Sequence, residues 1–160
     1  MFAGLVPVSV VWLERRRGFA PRVWLIAAAL GVSFVSDFTV LYSTPPWLVS
    51  AVYPVVQYGL LYLALASRLT AISLLLLTGG LAGVAIRYGA WERPDALPRV
   101  AGSLAVIALS RIPGLWVYFG LGTVGWVWYC AAPGFWPWFA YQACRLVGLT
   151  LFTVAVWRDH

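Results

Sequence analysis

Lysine is absent from this chain, and its one histidine is His160. Without a lysine amine no Schiff base to retinal or pyridoxal phosphate can form. With the only imidazole at position 160, none is available within the apolar segments to ligate haem, zinc or chlorophyll magnesium. Charge is scarce too. Charged residues are 10% of the 160, against roughly 25% in soluble domains, while 62% are hydrophobic and the mean hydropathy is +0.86. These values describe a chain solvated by lipid rather than water.

The two cysteines, Cys130 and Cys144, lack the spacing of a CxxC metal or redox motif and are expected as free thiols. There is no phosphate-cradling G-x-x-x-x-G-K-[ST] loop, no G-x-S-x-G elbow and no H-E-x-x-H. Nor does any apolar segment contain paired carboxylates. Glu92 and Asp95 share a proline-broken turn, "WERPDALPR", whose charges balance internally. A catalytic role is therefore not expected, and specific nucleic-acid binding has no support.

What is present is a series of apolar runs. Segments of about 20 apolar residues, enough to cross the hydrocarbon core, occupy 23–43, 48–67, 69–88 and 135–157. The N-terminal "MFAGLVPVSVVWLERRRGF" has only about a dozen apolar residues and no cleavage pattern, and reads as a short retained first helix. Between Val100 and Cys130, "SRIPGLW" interrupts a run too long for one helix and short for two. Pro113 removes a backbone donor there. Either one long bent helix results, or a half-helix followed by a full span from about 114 to 131. The fold class expected is all-α, a polytopic membrane bundle of about six helices (five to seven), forming a single domain over 1–160. Such a protein belongs in a membrane as a multipass component, the bacterial inner membrane being the natural setting.

Arg15, Arg16, Arg17 and Arg22 cluster between the first two segments and mark that join as cytoplasmic. With six crossings, both ends of the chain then lie outside.

Asp37 stands inside an apolar run, roughly 9 Å from its end by helical rise. Exposing its carboxylate to lipid costs about 2.5–3.5 kcal/mol, so it is expected to turn inward toward a cation. Arg145, with Gln142 three residues and Tyr141 four residues before it on one helical face, is the favoured partner. Arg111, beside the Pro113 break, is the alternative. Ser50, Tyr53 and Gln57 form a further polar stripe. The expected intramembrane polar network is therefore Asp37, Arg145, Arg111, Gln57, Gln142, Tyr53 and Tyr141. It serves to fix helix register, to form a proton or substrate path, or to contact a partner subunit. Gly79 and Gly83 form a G-x-x-x-G expected at a helix contact. Trp116, Trp126, Trp128, Trp136 and Trp138 exceed what an interfacial belt requires and offer an aromatic surface for a flat ligand or another protein's helices.

The leading functional expectation is a non-catalytic accessory or scaffolding subunit of a larger membrane complex. Its partners would be membrane lipids and other membrane subunits, with a non-covalent lipid, quinone or carotenoid as the only cofactor and no metal. The second is a small-molecule or ion binding or transport protein built on Asp37, Arg145, Gln57 and Gln142. The third is a membrane enzyme acting on a lipid or isoprenoid with Asp37 as acid.

Overall fold

The computed structural model describes residues 21–40, 47–88 and 97–158, and among these every regular element is helical. Helix α1 is Pro21–Val40. Helix α2 begins with a π-wound turn, Leu48–Val52, and continues as Tyr53–Leu65. Helix α3 is Arg68–Tyr88 and α4 is Leu97–Leu109. Helix α5 runs without interruption through Pro113–Leu115, a second π-wound turn at Trp116–Leu121, and Gly122–Ala131. Helix α6 is Phe135–Arg158.

The four expected apolar runs thus become α1, α2, α3 and α6, with ends displaced by no more than a turn. The expected first helix lies outside the described residues. Val100 to Cys130 divides near Pro113, as in the second expected form, into α4 and the longer α5; that the two run antiparallel was not expected. Pro113 forces the residue before it out of the helical region, and Ile112 is extended, with φ −89° and ψ 112°. Pro113 then starts α5, where its missing N–H costs nothing. The turn is closed by Ser110, whose hydroxyl accepts from the Ile112 N–H at 3.0 Å and whose carbonyl accepts from the Trp116 indole at 2.6 Å. Helix α4 doubles back along α5: Arg99 meets Trp126, Ser103 meets Thr123, and Ile107 meets Gly120.

Helix α2 occupies the centre. Its buried residues Pro54, Gln57, Tyr58, Gly59, Leu61, Tyr62 and Ala64 cover a broad side of it, leaving Val56 and Leu63 exposed on the other. It packs on α1, α3 and α4 together. Two hydrogen bonds tie it across the interior, Tyr58 to Ser103 of α4 at 2.7 Å and Tyr62 to Thr78 of α3 at 3.0 Å. The Tyr58 ring lies directly on Gly102, where any Cβ would overlap it.

Helices α5 and α6 are antiparallel and touch backbone to backbone. A Cβ on Gly148 would fall 2.6 Å from the Tyr118 nitrogen and 2.8 Å from the Gly114 carbonyl oxygen. Farther along, a Cβ on Gly125 would fall 3.0 Å from the Tyr141 Cα. This is the small-residue contact that membrane helices favour, but it is not the one expected at Gly79 and Gly83. At those two positions, and at Gly80, a Cβ meets nothing within 4 Å among the described residues.

These glycines are therefore expected to respond oppositely to substitution. Gly148→Val should destabilise the protein by at least about 1–3 kcal/mol, because its new atoms strike backbone that cannot yield. Gly80→Ala should stabilise α3 slightly, by less than about 1 kcal/mol. Equilibrium unfolding in mixed micelles measures both.

Candidate functional site

Arg145 sits mid-way along α6 and is 3% exposed. A guanidinium carries five N–H donors and no acceptor, so in an apolar interior it must be surrounded by oxygen. Tyr118 of α5 supplies the first, accepting from Nε at 3.1 Å and from Nη2 at 2.7 Å. Ser33 of α1 accepts from Nη2 at 2.8 Å, and Tyr141, one turn earlier on α6, accepts from Nη1 at 3.0 Å. The Tyr118 hydroxyl donates in turn to Ser33 at 2.8 Å, closing a ring that joins α1, α5 and α6. The guanidinium carbon also lies 5.2 Å and 5.0 Å from the Tyr118 and Tyr141 ring centres, within cation–π reach.

Local backbone features place these groups. The π-wound turn at Trp116–Leu121 widens α5 at Tyr118, and such turns recur at functional positions. The Gly114–Gly148 contact brings α5 close enough to α6 for the phenol to reach Arg145. Gly122, 3.5 Å from the Arg145 side chain by its virtual Cβ, leaves room for the aliphatic stem.

Beside this ring lies a cavity of about 20 Å³ lined by Ser33, Gln57, Tyr58, Arg99, Tyr118, Thr123, Trp126, Tyr141 and Arg145, with Phe119 and Gly122. That volume holds about one water or the tip of a ligand's polar group. Two of the lining side chains have no protein hydrogen bond among the described residues. Gln57 is 7% exposed, and its amide faces the cavity without a partner. Arg99, in the first turn of α4, places its guanidinium carbon 4.4 Å from the Trp126 ring centre and makes neither a hydrogen bond nor an ion pair with the described residues. No lining residue carries a carboxylate.

Of the expected network, Arg145, Tyr141 and Gln57 come together here. Tyr53 and Gln142 are half-buried and do not line the cavity. Arg111 is exposed at the α4–α5 turn and does not line the cavity. Asp37 belongs to α1, one helical turn after Ser33, and its side chain lies outside those described, as does that of Ser50. Sequence reasoning did not place Arg99, Tyr58, Ser103, Tyr118 or Thr123 in the polar network. A signal existed for two of them: Arg99, Gly102, Ser103 and Val106 share one face of α4 at helical spacing. Of the aromatic surface, Trp126 is half-buried under Arg99, whereas Trp116, Trp128, Trp136 and Trp138 are exposed by 46% to 69%. Cys130 and Cys144 are free thiols, as expected.

No protein-family model, no curated protein and no solved structure matches the chain.

Removing the Tyr118 hydroxyl takes an acceptor from the buried guanidinium and a donor from Ser33. Tyr118→Phe should cost about 2–3 kcal/mol, as for hydrogen bonds to charged groups, whereas Tyr58→Phe should cost about 1 kcal/mol. Equal losses in unfolding experiments would contradict the assigned ring.

Proposed function

We propose that this chain is a multipass membrane protein whose bundle holds a polar chamber beside Arg145, and that the chamber binds a small-molecule or ionic ligand. The membrane part of this reading draws on α3 and α6. They are 21 and 24 residues long with mean hydropathies of 2.1 and 1.5, and only 22% of either apolar window is buried. Leu69, Leu76 and Leu77 of α3 are 81%, 72% and 58% exposed. In water such a surface drives association, whereas in lipid it is at rest.

In this reading successive helices alternate in direction, and the division of Val100 to Cys130 into α4 and α5 changes the expected topology. Arg22, Arg68, Arg111 and Arg158 then share one end, the cytoplasmic one by the positive-inside rule. The end of α6 moves from the expected outside to the cytoplasm. A reporter fused after His160 should be active only as a cytoplasmic-side reporter, and labelling from outside would refute the topology.

Gln57 carries the binding reading. Its side chain is 7% exposed, has no protein hydrogen bond among the described residues, and borders a cavity that can receive a ligand atom. The expected pairing of Asp37 with Arg145 fits the same proposal, because the register of α1 puts position 37 on the Ser33 side of the helix. Purified protein should carry a small molecule detectable by native mass spectrometry. Gln57→Leu should lose that molecule while keeping the wild-type melting temperature. Wild-type protein empty under all extraction conditions would count against a binding role.

A second reading, an accessory subunit, draws on the aromatic cluster at the start of α6. Phe135, Trp136, Trp138 and Phe139 stack on one another, with centroids 5.3–6.3 Å apart, and all are exposed. A stoichiometric protein partner in the same purified sample would favour it.

A further inference from the structure

From the chamber's lining we infer that its ligand is an oxyanion, a carboxylate or phosphate group, that enters beside the stacked Arg99–Trp126 pair and is held by the Arg99 guanidinium with one oxygen directed toward Gln57. This rests on the binding role proposed above and names its ligand chemistry.

Three observations carry it. First, Arg99 is half-buried, at the cavity wall, and stacked on Trp126 at 4.4 Å, yet no protein group accepts its N–H donors among the described residues. Stacking uses the face of a guanidinium and leaves its edge available, the edge that matches carboxylate and phosphate oxygens in pairs. Second, Gln57 offers an unpartnered amide from a side chain 7% exposed, so the cavity has a second donor able to meet an inserted oxygen. Third, the described lining groups are two guanidiniums, hydroxyls, an amide and aromatic rings; with Arg145 held by hydroxyls and facing Asp37 in the proposed pairing, Arg99 is the cation open to an anion.

Size narrows the fit. About 20 Å³ admits one oxygen-sized group rather than a whole solute, so the body of the ligand stays outside, along the Arg99–Trp126 mouth. A lipid headgroup and a free oxyanion share this chemistry. The mouth lies at the end of the bundle opposite Arg22, Arg68, Arg111 and Arg158, which is the outer end in the proposed topology.

The test uses the full chain in detergent, with native mass spectrometry against phosphatidylglycerol and phosphatidylcholine, and with millimolar inorganic phosphate or acetate as competitor. Phosphatidylglycerol should bind in preference to phosphatidylcholine, and Arg99→Gln should weaken it at least about tenfold, the size of a lost charge-assisted hydrogen bond. Arg158→Gln, at the other end of the bundle, should change it less than about twofold by the same reasoning. Arg99→Lys, which keeps the charge but loses the fork, should fall between, and it serves if Arg99→Gln does not fold. Competition by phosphate or acetate that depends on Arg99 supports a free oxyanion as the ligand, and failure to compete supports the lipid headgroup. Arg99→Gln leaving the binding of phosphatidylglycerol, phosphate and acetate alike unchanged overturns the inference. Binding of a neutral molecule that is lost in Gln57→Leu and retained in Arg99→Gln would overturn it while leaving the chamber itself intact.

Discussion

A guanidinium that is 3% exposed in a chain this apolar constrains everything around it. Arg145 cannot be neutralised by losing a proton, and an unsolvated charge in a low dielectric costs several kcal/mol even after relaxation. The fold must therefore deliver oxygen atoms to it from several directions. Ser33, Tyr118 and Tyr141 do so from three helices, and each requires a particular neighbour to stand close. The Gly114–Gly148 contact, the widened turn at Tyr118 and the small side chain at Ser33 are all explained by that demand.

The same arrangement separates a holding function from a receiving one. Arg145 is engaged by hydroxyls on every side described, so it behaves as a fixed positive centre. Arg99 and Gln57 have no hydrogen-bond partner among the described residues, and they border a cavity that Ser33, Tyr118 and Tyr141 also line. Polar groups left without partners in a packed interior are costly. Their retention beside a cavity is easiest to understand if something outside the chain completes them. The two π-wound turns, at Leu48–Val52 and Trp116–Leu121, flank this region on α2 and α5 and re-aim the residues that follow them.

Much of the secondary structure was legible beforehand because it depends on local patterns. Apolar runs near 23–43, 48–67, 69–88 and 135–157 reappear as helices, and Pro113 marks a break where its geometry requires one. What the break does was not legible. Whether a chain bends or reverses at a proline depends on which surfaces its two arms bury, and here Ser103, Ile107 and Arg99 find partners on α5 itself. The glycine contact was misplaced for a related reason. A G-x-x-x-G at 79–83 is visible within one helix, whereas Gly114, Gly125 and Gly148 form a seam only once two helices are aligned.

By itself, then, the order of residues determined that the chain is helical, that long apolar runs fill most of it, that its residues offer no lysine for covalent chemistry, and that Arg145 and Tyr141 share a helical face. These follow from composition and from contacts within four residues. The tertiary structure alone decided that Tyr118 and Ser33 complete the guanidinium's shell, that Arg111 stays outside, and that Arg99 turns inward onto Trp126. Those outcomes depend on pairs such as 33 with 145 and 99 with 126, which no local pattern relates. They are set by how six helices exclude one another's volume while bringing oxygen to a buried charge.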